Sequence, residues 1–245
     1  MGPPEFVDPQ PIDPLAAEAV RLNEAYAKRD RGKYIWSSRG HEFGMQERER
    51  YALSLLRRHN CMPLTEKTIL DVGCGSGAWI QQFIRWGARP ENVTGIDVRS
   101  DPLIRARQAL PLSVRLELGS GAVLPFEPAT FDIVLQATMF TSVLDGAIRQ
   151  QIATEMLRVL KPNGLILWYD FLVNNPANPD VRGVRKREIS ALFSGCRFDL
   201  RRMTLLPPVV RWLAPRSWLL TYMLSHVRPF CTHYLGAITR LITRV

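Results

Sequence analysis

Apolar residues recur at helical spacing in two stretches near the start of the chain, residues 14–29 and 45–59, and Pro14 suits a first helical turn. From residue 68 the period changes. Thr68-Ile-Leu-Asp-Val, Val93-Thr-Gly-Ile-Asp, Val114-Arg-Leu-Glu-Leu, Phe131-Asp-Ile-Val-Leu and the run Leu165 to Phe171 are short apolar segments, several ended by glycine or acid. Such runs read as strands buried on both faces. Between them, residues 76–86, 101–109 and 146–160 are helical, the last stopped by Lys161-Pro-Asn-Gly. Residues 184–194 suggest one more helix and 196–205 a sixth strand. Strands alternating with helices over short connections imply an α/β fold with a parallel, doubly wound sheet.

The glycines refine this picture. Asp71-Val-Gly-Cys-Gly-Ser-Gly lies on the turn from the first strand to its helix. Gly73, Gly75 and Gly77 let backbone approach a ligand closely. Asp97 ends the next strand, where its carboxylate can accept both hydroxyls of a ribose and so select an adenosine ligand. The spacing is G-x-G-x-G, which differs from the G-x-G-x-x-G that seats a pyrophosphate on a helix N-terminus. Asp71 can meet a cationic ligand such as a sulfonium-bearing amino acid. These two features separate the loop from a nicotinamide-dinucleotide site.

On these residues the sequence resembles the class I S-adenosylmethionine-dependent methyltransferases, particularly the small-molecule enzymes related to quinone and sterol methyltransferases. DVGCGSG looks like their first motif and GID their second; LPFEPATFDIVL and LRVLKPNGLILWYDF resemble the segments around the fourth and fifth strands. The resemblance covers about residues 65–172. It implies a Rossmann-like sheet of seven strands, the last antiparallel between the fifth and sixth, and S-adenosyl-L-methionine as cofactor. Carried over by position, Asp71, Gly73 and Gly75 line the amino-acid end of the cofactor, Asp97 holds the ribose and Val98 packs on the adenine. Relatives commonly place G-D-A after the third strand, whereas this chain has Gly119-Ser120-Gly121-Ala122, so Ser120 and Gly121 offer only a neutral contact to the adenine amine. Gln136 is placed either to bond the main-chain-like end of the cofactor or to face solvent from a loop.

Methyl transfer from a sulfonium needs alignment, exclusion of water and at most one proton removed. The candidate catalytic groups are therefore quiet ones. Asp170 ends the fifth strand, as a base or as a helix cap or turn former. His41 sits in a loop with Tyr34 and Trp36 that covers the acceptor in many relatives, unless it is a plain surface histidine. The implied topology puts a seventh strand near 232–242, which would stand His233 and Tyr234 at the mouth of the site unless His233 is a packed polar residue. Residues 1–60 then form a helical cap with an acceptor-covering loop, and 61–245 the methyltransferase domain with a lid-like insertion at 206–231.

Charge adds one further expectation. The net charge is +9, yet residues 200–245 hold seven arginines and no acid, so the basicity is local. The insertion is apolar, aromatic and basic, too broken by proline and charge to cross a bilayer. It reads either as a packed lid or as a surface for a lipophilic or anionic partner, including peripheral contact with a membrane. The Asn- and Pro-rich stretch YDFLVNNPANPDVRG, with the basic tail, is similar to methyltransferases found with bacterial polysaccharide biosynthesis. The expected acceptor is a hydroxyl of a glycan or lipid-linked sugar, with C-methylation of a polyprenyl quinone-like lipid the alternative. A nucleic-acid substrate is disfavoured, because Gln136-Ala-Thr-Met stands where an N/D-P-P-Y/F tetrad is needed. Four scattered cysteines show no metal or redox spacing, and with no export signal at residues 1–14 the expected compartment is cytoplasmic.

Overall fold

The structure, a computed structural model, describes residues 13–28, 38–175 and 178–241. Two helices, α1 (Pro14–Ala27) and α2 (Arg39–Arg58), precede a sheet of seven strands. The first five strands are β1 (Ile69–Val72), β2 (Val93–Asp97), β3 (Arg115–Leu118), β4 (Phe131–Ala137) and β5 (Leu160–Phe171). They alternate with α3 (Ala78–Arg85), α4 (Ser100–Ala109) and α5 (Gly146–Val159). Then come α6 (Lys186–Leu192), β6 (Cys196–Leu205), α7 (Pro207–Leu213), α8 (Trp218–Ser225) and β7 (Cys231–Arg240).

The strand order is β3-β2-β1-β4-β5-β7-β6. β1 to β5 pair in parallel, and β7 runs antiparallel to both β5 and β6. This is the doubly wound, Rossmann-like sheet with an antiparallel last strand that the motifs imply.

The strands that read as unbroken apolar runs divide their side chains between two cores. Leu70, Val134, Ile166 and Trp168 face α5 and α6; Ile69, Ile133, Leu135, Leu165 and Leu167 face α2, α3 and α4. A period of two is hidden in the sequence because both faces are covered. β6 is one of the two edge strands, and its Arg201 and Arg202 are exposed, which blunts pairing with another chain.

Several boundaries move. α2 starts at Arg39, six residues before the expected 45, so His41 lies in the first helical turn and not in a loop. Its N-terminus is held by tertiary packing: a Cβ on Gly40 would stand 3.1 Å from the Val210 carbonyl of α7, so a glycine lets the two backbones close. β5 also begins early, at Leu160, and absorbs Lys161-Pro-Asn-Gly across a pairing shift opposite Phe131 and Ile133. Tyr34 and Trp36 lie outside the described residues.

Candidate functional site

The cofactor loop is shaped by left-handed backbone. Gly73, Gly75 and Gly77 have φ of 75°, 54° and 80°, a region that disfavours residues with a Cβ. The three glycines are not equivalent in space. A Cβ on Gly75 would meet nothing within 4 Å, whereas one on Gly77 would lie 2.7 Å from Leu110 at the end of α4. Gly75 therefore borders open space, and Gly77 serves the packing of α3 on α4.

A cavity of about 510 Å³ opens beyond the carboxyl ends of β1, β2 and β4. That is the crevice where open α/β sheets take ligands, and its size suits a small molecule or cofactor. Asp71, Gly73, Gly75, Asp97, Val98, Ser120 and Gly121 all line it. Gly77 and Gln136 do not. Gln136 is neither solvent-facing nor at the cavity wall: it is fully buried on β4, where its Oε1 accepts from the Met139 amide at 3.3 Å. It supports the wall from behind, because the β4 register turns its side chain toward the α5 face.

Asp97 is bonded to the loop itself. One oxygen accepts from the Gly75 amide and the other from the Arg99 amide, both at 2.9 Å. Lone pairs remain on each oxygen for a ligand hydroxyl. Asp71 differs. It is 2% exposed and meets no hydrogen-bond donor among the described residues. Burial first, and then the charge of Asp97, push its carboxyl up to about 8. A buried acid without a donor, facing a cavity beside a second acid, is a place where a cation is stabilised. The residues present thus fit an adenosine bearing a cationic amino acid, the shape of S-adenosylmethionine.

The remaining wall was not visible as a site in the sequence. Leu15, Ala19, Leu22 and Tyr26 of α1 line the cavity. Their spacing signalled a helix face but not its destination. Glu18 fixes that helix by accepting from the Leu144 amide at 3.0 Å, and Arg21 reaches the Ser142 carbonyl. The Tyr26 hydroxyl lies 3.0 Å from Ser142 Oγ, and the Arg99 guanidinium sits 3.7 Å from the Tyr26 ring centre. Beside α1 and bonded to it, the loop with Thr138, Met139, Ser142 and Val143 completes the enclosure.

None of the three candidate catalytic residues lines this cavity. Asp170 is fully buried and accepts from the Thr141 hydroxyl, the Thr141 amide at 3.1 Å and the Phe171 amide at 2.9 Å. Burial pushes it up to about 7, but it is sealed and saturated with donors; its role is to tie β5 to the loop that forms the cavity wall. The same loop is held by Arg149, whose Nε donates to the Val143 carbonyl at 2.6 Å from a fully buried position.

His233 is likewise corrected. It is 5% exposed, stacked on Tyr169 at 4.8 Å, with Nδ1 2.9 Å from Thr232 Oγ1. Burial and then Arg48 push it down to about 3, so it is neutral at physiological pH and too weak a base to take a proton. His41 is half-buried on α2, and burial followed by Arg48 lowers it as well. Among the described residues no cluster of three or more histidines, cysteines or acids could hold a metal.

Residues 69–164 match a family model described as a methyltransferase domain. The chain is 34% identical over 114 residues to a ubiquinone biosynthesis O-methyltransferase of Sodalis glossinidius, covering 45% of this chain and 43% of that protein. It is 32% identical over 128 residues to an uncharacterized protein of Haemophilus influenzae, covering 49% of each. The chain thus spans about half the length of the curated relatives it matches. Among solved structures it is similar to the 1,6-didemethyltoxoflavin-N1-methyltransferase of Burkholderia thailandensis, crystallised with 1,6-didemethyltoxoflavin and S-adenosylhomocysteine. That likeness has a TM-score of 0.61 at 18% identity and covers 98% of this chain and all of that one. Residues 69–164 thus match a methyltransferase domain, and the likeness to the solved structure, with the seven-stranded sheet, shows the fold that such domains share.

Proposed function

We propose that this chain transfers the methyl group of S-adenosylmethionine to a small-molecule acceptor, a hydroxyl of a glycan or lipid-linked sugar. The observation that carries the proposal is the buried carboxyl of Asp71, which meets no donor among the described residues and faces a cavity that Asp97, Gly75 and α1 enclose. When bound, the cofactor supplies an electrophilic methyl group for in-line displacement. Asp71 would hold its ammonium, Asp97 the ribose hydroxyls, and Val98 with Ser120 and Gly121 the adenine. α1 and the loop from Thr138 to Val143 would exclude water and fix the attack direction, the larger part of what such a transfer requires. With Asp170 and His233 sealed, His41 is the candidate left to move a proton.

The acceptor reading leans on the Asn- and Pro-rich stretch after β5 and on the apolar, basic segment between β6 and β7. A second reading is C-methylation of a polyprenyl quinone-like lipid; the relative named for ubiquinone biosynthesis supports the quinone-type acceptor, while its own name is that of an O-methyltransferase. In either case the proposed setting is cytoplasmic, at a membrane periphery, and four free thiols suit a reducing compartment. Turnover of methyl-labelled cofactor against lipid-linked sugars, free sugars, quinone precursors and RNA tests this. Label in a lipid-linked or free sugar supports the first reading, and label in a quinone precursor replaces it with the second. Label only in RNA, or in no acceptor while the cofactor binds, overturns both.

A further inference from the structure

α8 is built inside out. Its two buried side chains are Thr221 and Ser225, whereas Leu219, Leu220, Tyr222 and Met223 are 67%, 53%, 44% and 60% exposed. The buried hydroxyls donate to the helix's own backbone, Thr221 to the Ser217 carbonyl at 2.7 Å and Ser225 to the Tyr222 carbonyl at 2.9 Å. Ser225 also meets the buried carboxyl of Glu47 from α2. Trp212 on α7 and Val227 and Phe230 after α8 extend the exposed apolar face. Half of the exposed large apolar side chains among the described residues fall between 212 and 230, so this is a patch and not scatter.

The face is a fixed platform. Trp218 packs edge-on against Phe43 of α2 at 5.1 Å, and Ala214 is buried between α7 and α8. It emerges at the carboxyl edge of the parallel strands, since Leu205 pairs with Cys231 and Phe171 with His233.

Charge identifies the occupant. Arg211, Arg216 and Arg228 are exposed within the patch and make no ion pair among the described residues. Arg216 lies along Trp212, its guanidinium 4.7 Å from the ring centre, an arrangement in which the apolar stem sinks and the charge stays at an interface. Behind α8 a recess of about 220 Å³ adds Arg50, Arg201 and His226 with the hydroxyls of Tyr51, Ser54 and Tyr222; Glu47 is the acid that faces it. Two copies pairing through this face would set arginine against arginine with no acid in residues 200–245 to answer.

We propose that the α7–α8 segment docks on an anionic lipid bilayer, with Trp212, Leu219, Leu220 and Met223 entering the headgroup boundary and the arginines meeting lipid phosphates. This deepens, and in that sense rests on, the reading of a lipid-type acceptor, because it brings the open edge of the sheet to the surface where such an acceptor resides.

Co-sedimentation of the full chain with phosphatidylcholine vesicles, with and without one third phosphatidylglycerol, at low and high salt, is the test. Binding is expected only to the anionic vesicles and to weaken with salt. Replacing three arginines, Arg211→Gln with Arg216→Gln and Arg228→Gln, should lower partitioning by about a hundredfold, about fivefold for each. Leu219→Ser with Leu220→Ser and Met223→Ser should also release the protein. All six positions are exposed, and S-adenosylhomocysteine affinity, expected to be unchanged, verifies that both variants fold. Equal binding to neutral and anionic vesicles, or binding to neither, overturns the proposal, as does a concentration-dependent dimer that the apolar variant dissolves. Methyl transfer to a water-soluble acceptor reports separately on the reaction, so a failed docking site and a wrong reaction give different results.

Discussion

The centre of the sheet and its β6–β7 edge turn their distinctive residues in opposite directions. Around β1, β2 and β4, acids and glycines converge inward: Asp71 and Asp97 are buried, and Gly73 and Gly75 hold left-handed backbone beside one cavity. Around β6 and β7 apolar groups between 212 and 230 face outward, and Arg211, Arg216 and Arg228 make no ion pair among the described residues. The inward region must meet one fixed ligand, so it needs particular residue types at particular dihedral angles. On the proposed docking role, the outward region needs only a surface of suitable polarity, which many sequences supply.

The comparison breaks most sharply at Gly75. Gly75→Val should abolish S-adenosylhomocysteine binding, since its Cβ would project into open cavity from a φ of 54°. The fold should survive a strain of about 1–3 kcal/mol. Calorimetry with circular dichroism checks both, and a folded variant that keeps its affinity shows the loop to be misplaced.

Asp97→Ala comes next. Loss of a charge-assisted partner should cost about 1.5–3 kcal/mol of cofactor affinity. The amides of Gly75 and Arg99 also lose their acceptor, so the loop should loosen and hydrogen exchange there should quicken. An affinity within twofold of wild type would remove Asp97 from the site.

Asp71 sharpens the contrast through pH. Its carboxyl holds a proton up to about 8 in the free protein, and a bound ammonium favours the ionised form. Affinity for S-adenosylhomocysteine should therefore rise with pH toward about 8 and level off above it. The limiting slope is about tenfold per pH unit, one proton released per ligand. Titrations at pH 7 in buffers of different ionisation enthalpy measure that proton directly. If none is released, or if Asp71→Asn keeps the same slope, Asp71 does not face the cation.

The smallest effect belongs to Asp170. Asp170→Asn should leave cofactor affinity and the pH profile of turnover nearly unchanged while removing about 1–3 kcal/mol of stability, because the Thr141 and Phe171 donors lose a charged acceptor. A turnover profile that loses an ionisation near 7 would instead restore Asp170 as the base.

The chain's own pattern determined the parallel sheet, its order of elements and most of the cofactor loop, for a local reason. Buried parallel strands need short apolar runs, and a loop at positive φ needs glycine, so both constraints are written in consecutive residues. Gly73 and Gly75 were legible as a turn on that account and Asp71 and Asp97 as acids at strand ends, whereas Val98 followed only from the family resemblance; all five line the cavity. Only tertiary structure decided the rest. The apolar stripe Leu15, Ala19, Leu22 and Tyr26 announces a helix, yet nothing in it says that the helix roofs a cavity lined by residues more than 40 positions away. Gln136, Asp170 and His233 looked available because each is a polar residue at a strand's end or start. The register turned the first toward α5, three donors closed around the second, and aromatic rings enclosed the third. A side chain's type is set by its codon, but its protonation and reach are set by neighbours distant in sequence, and those exist only once the chain has folded.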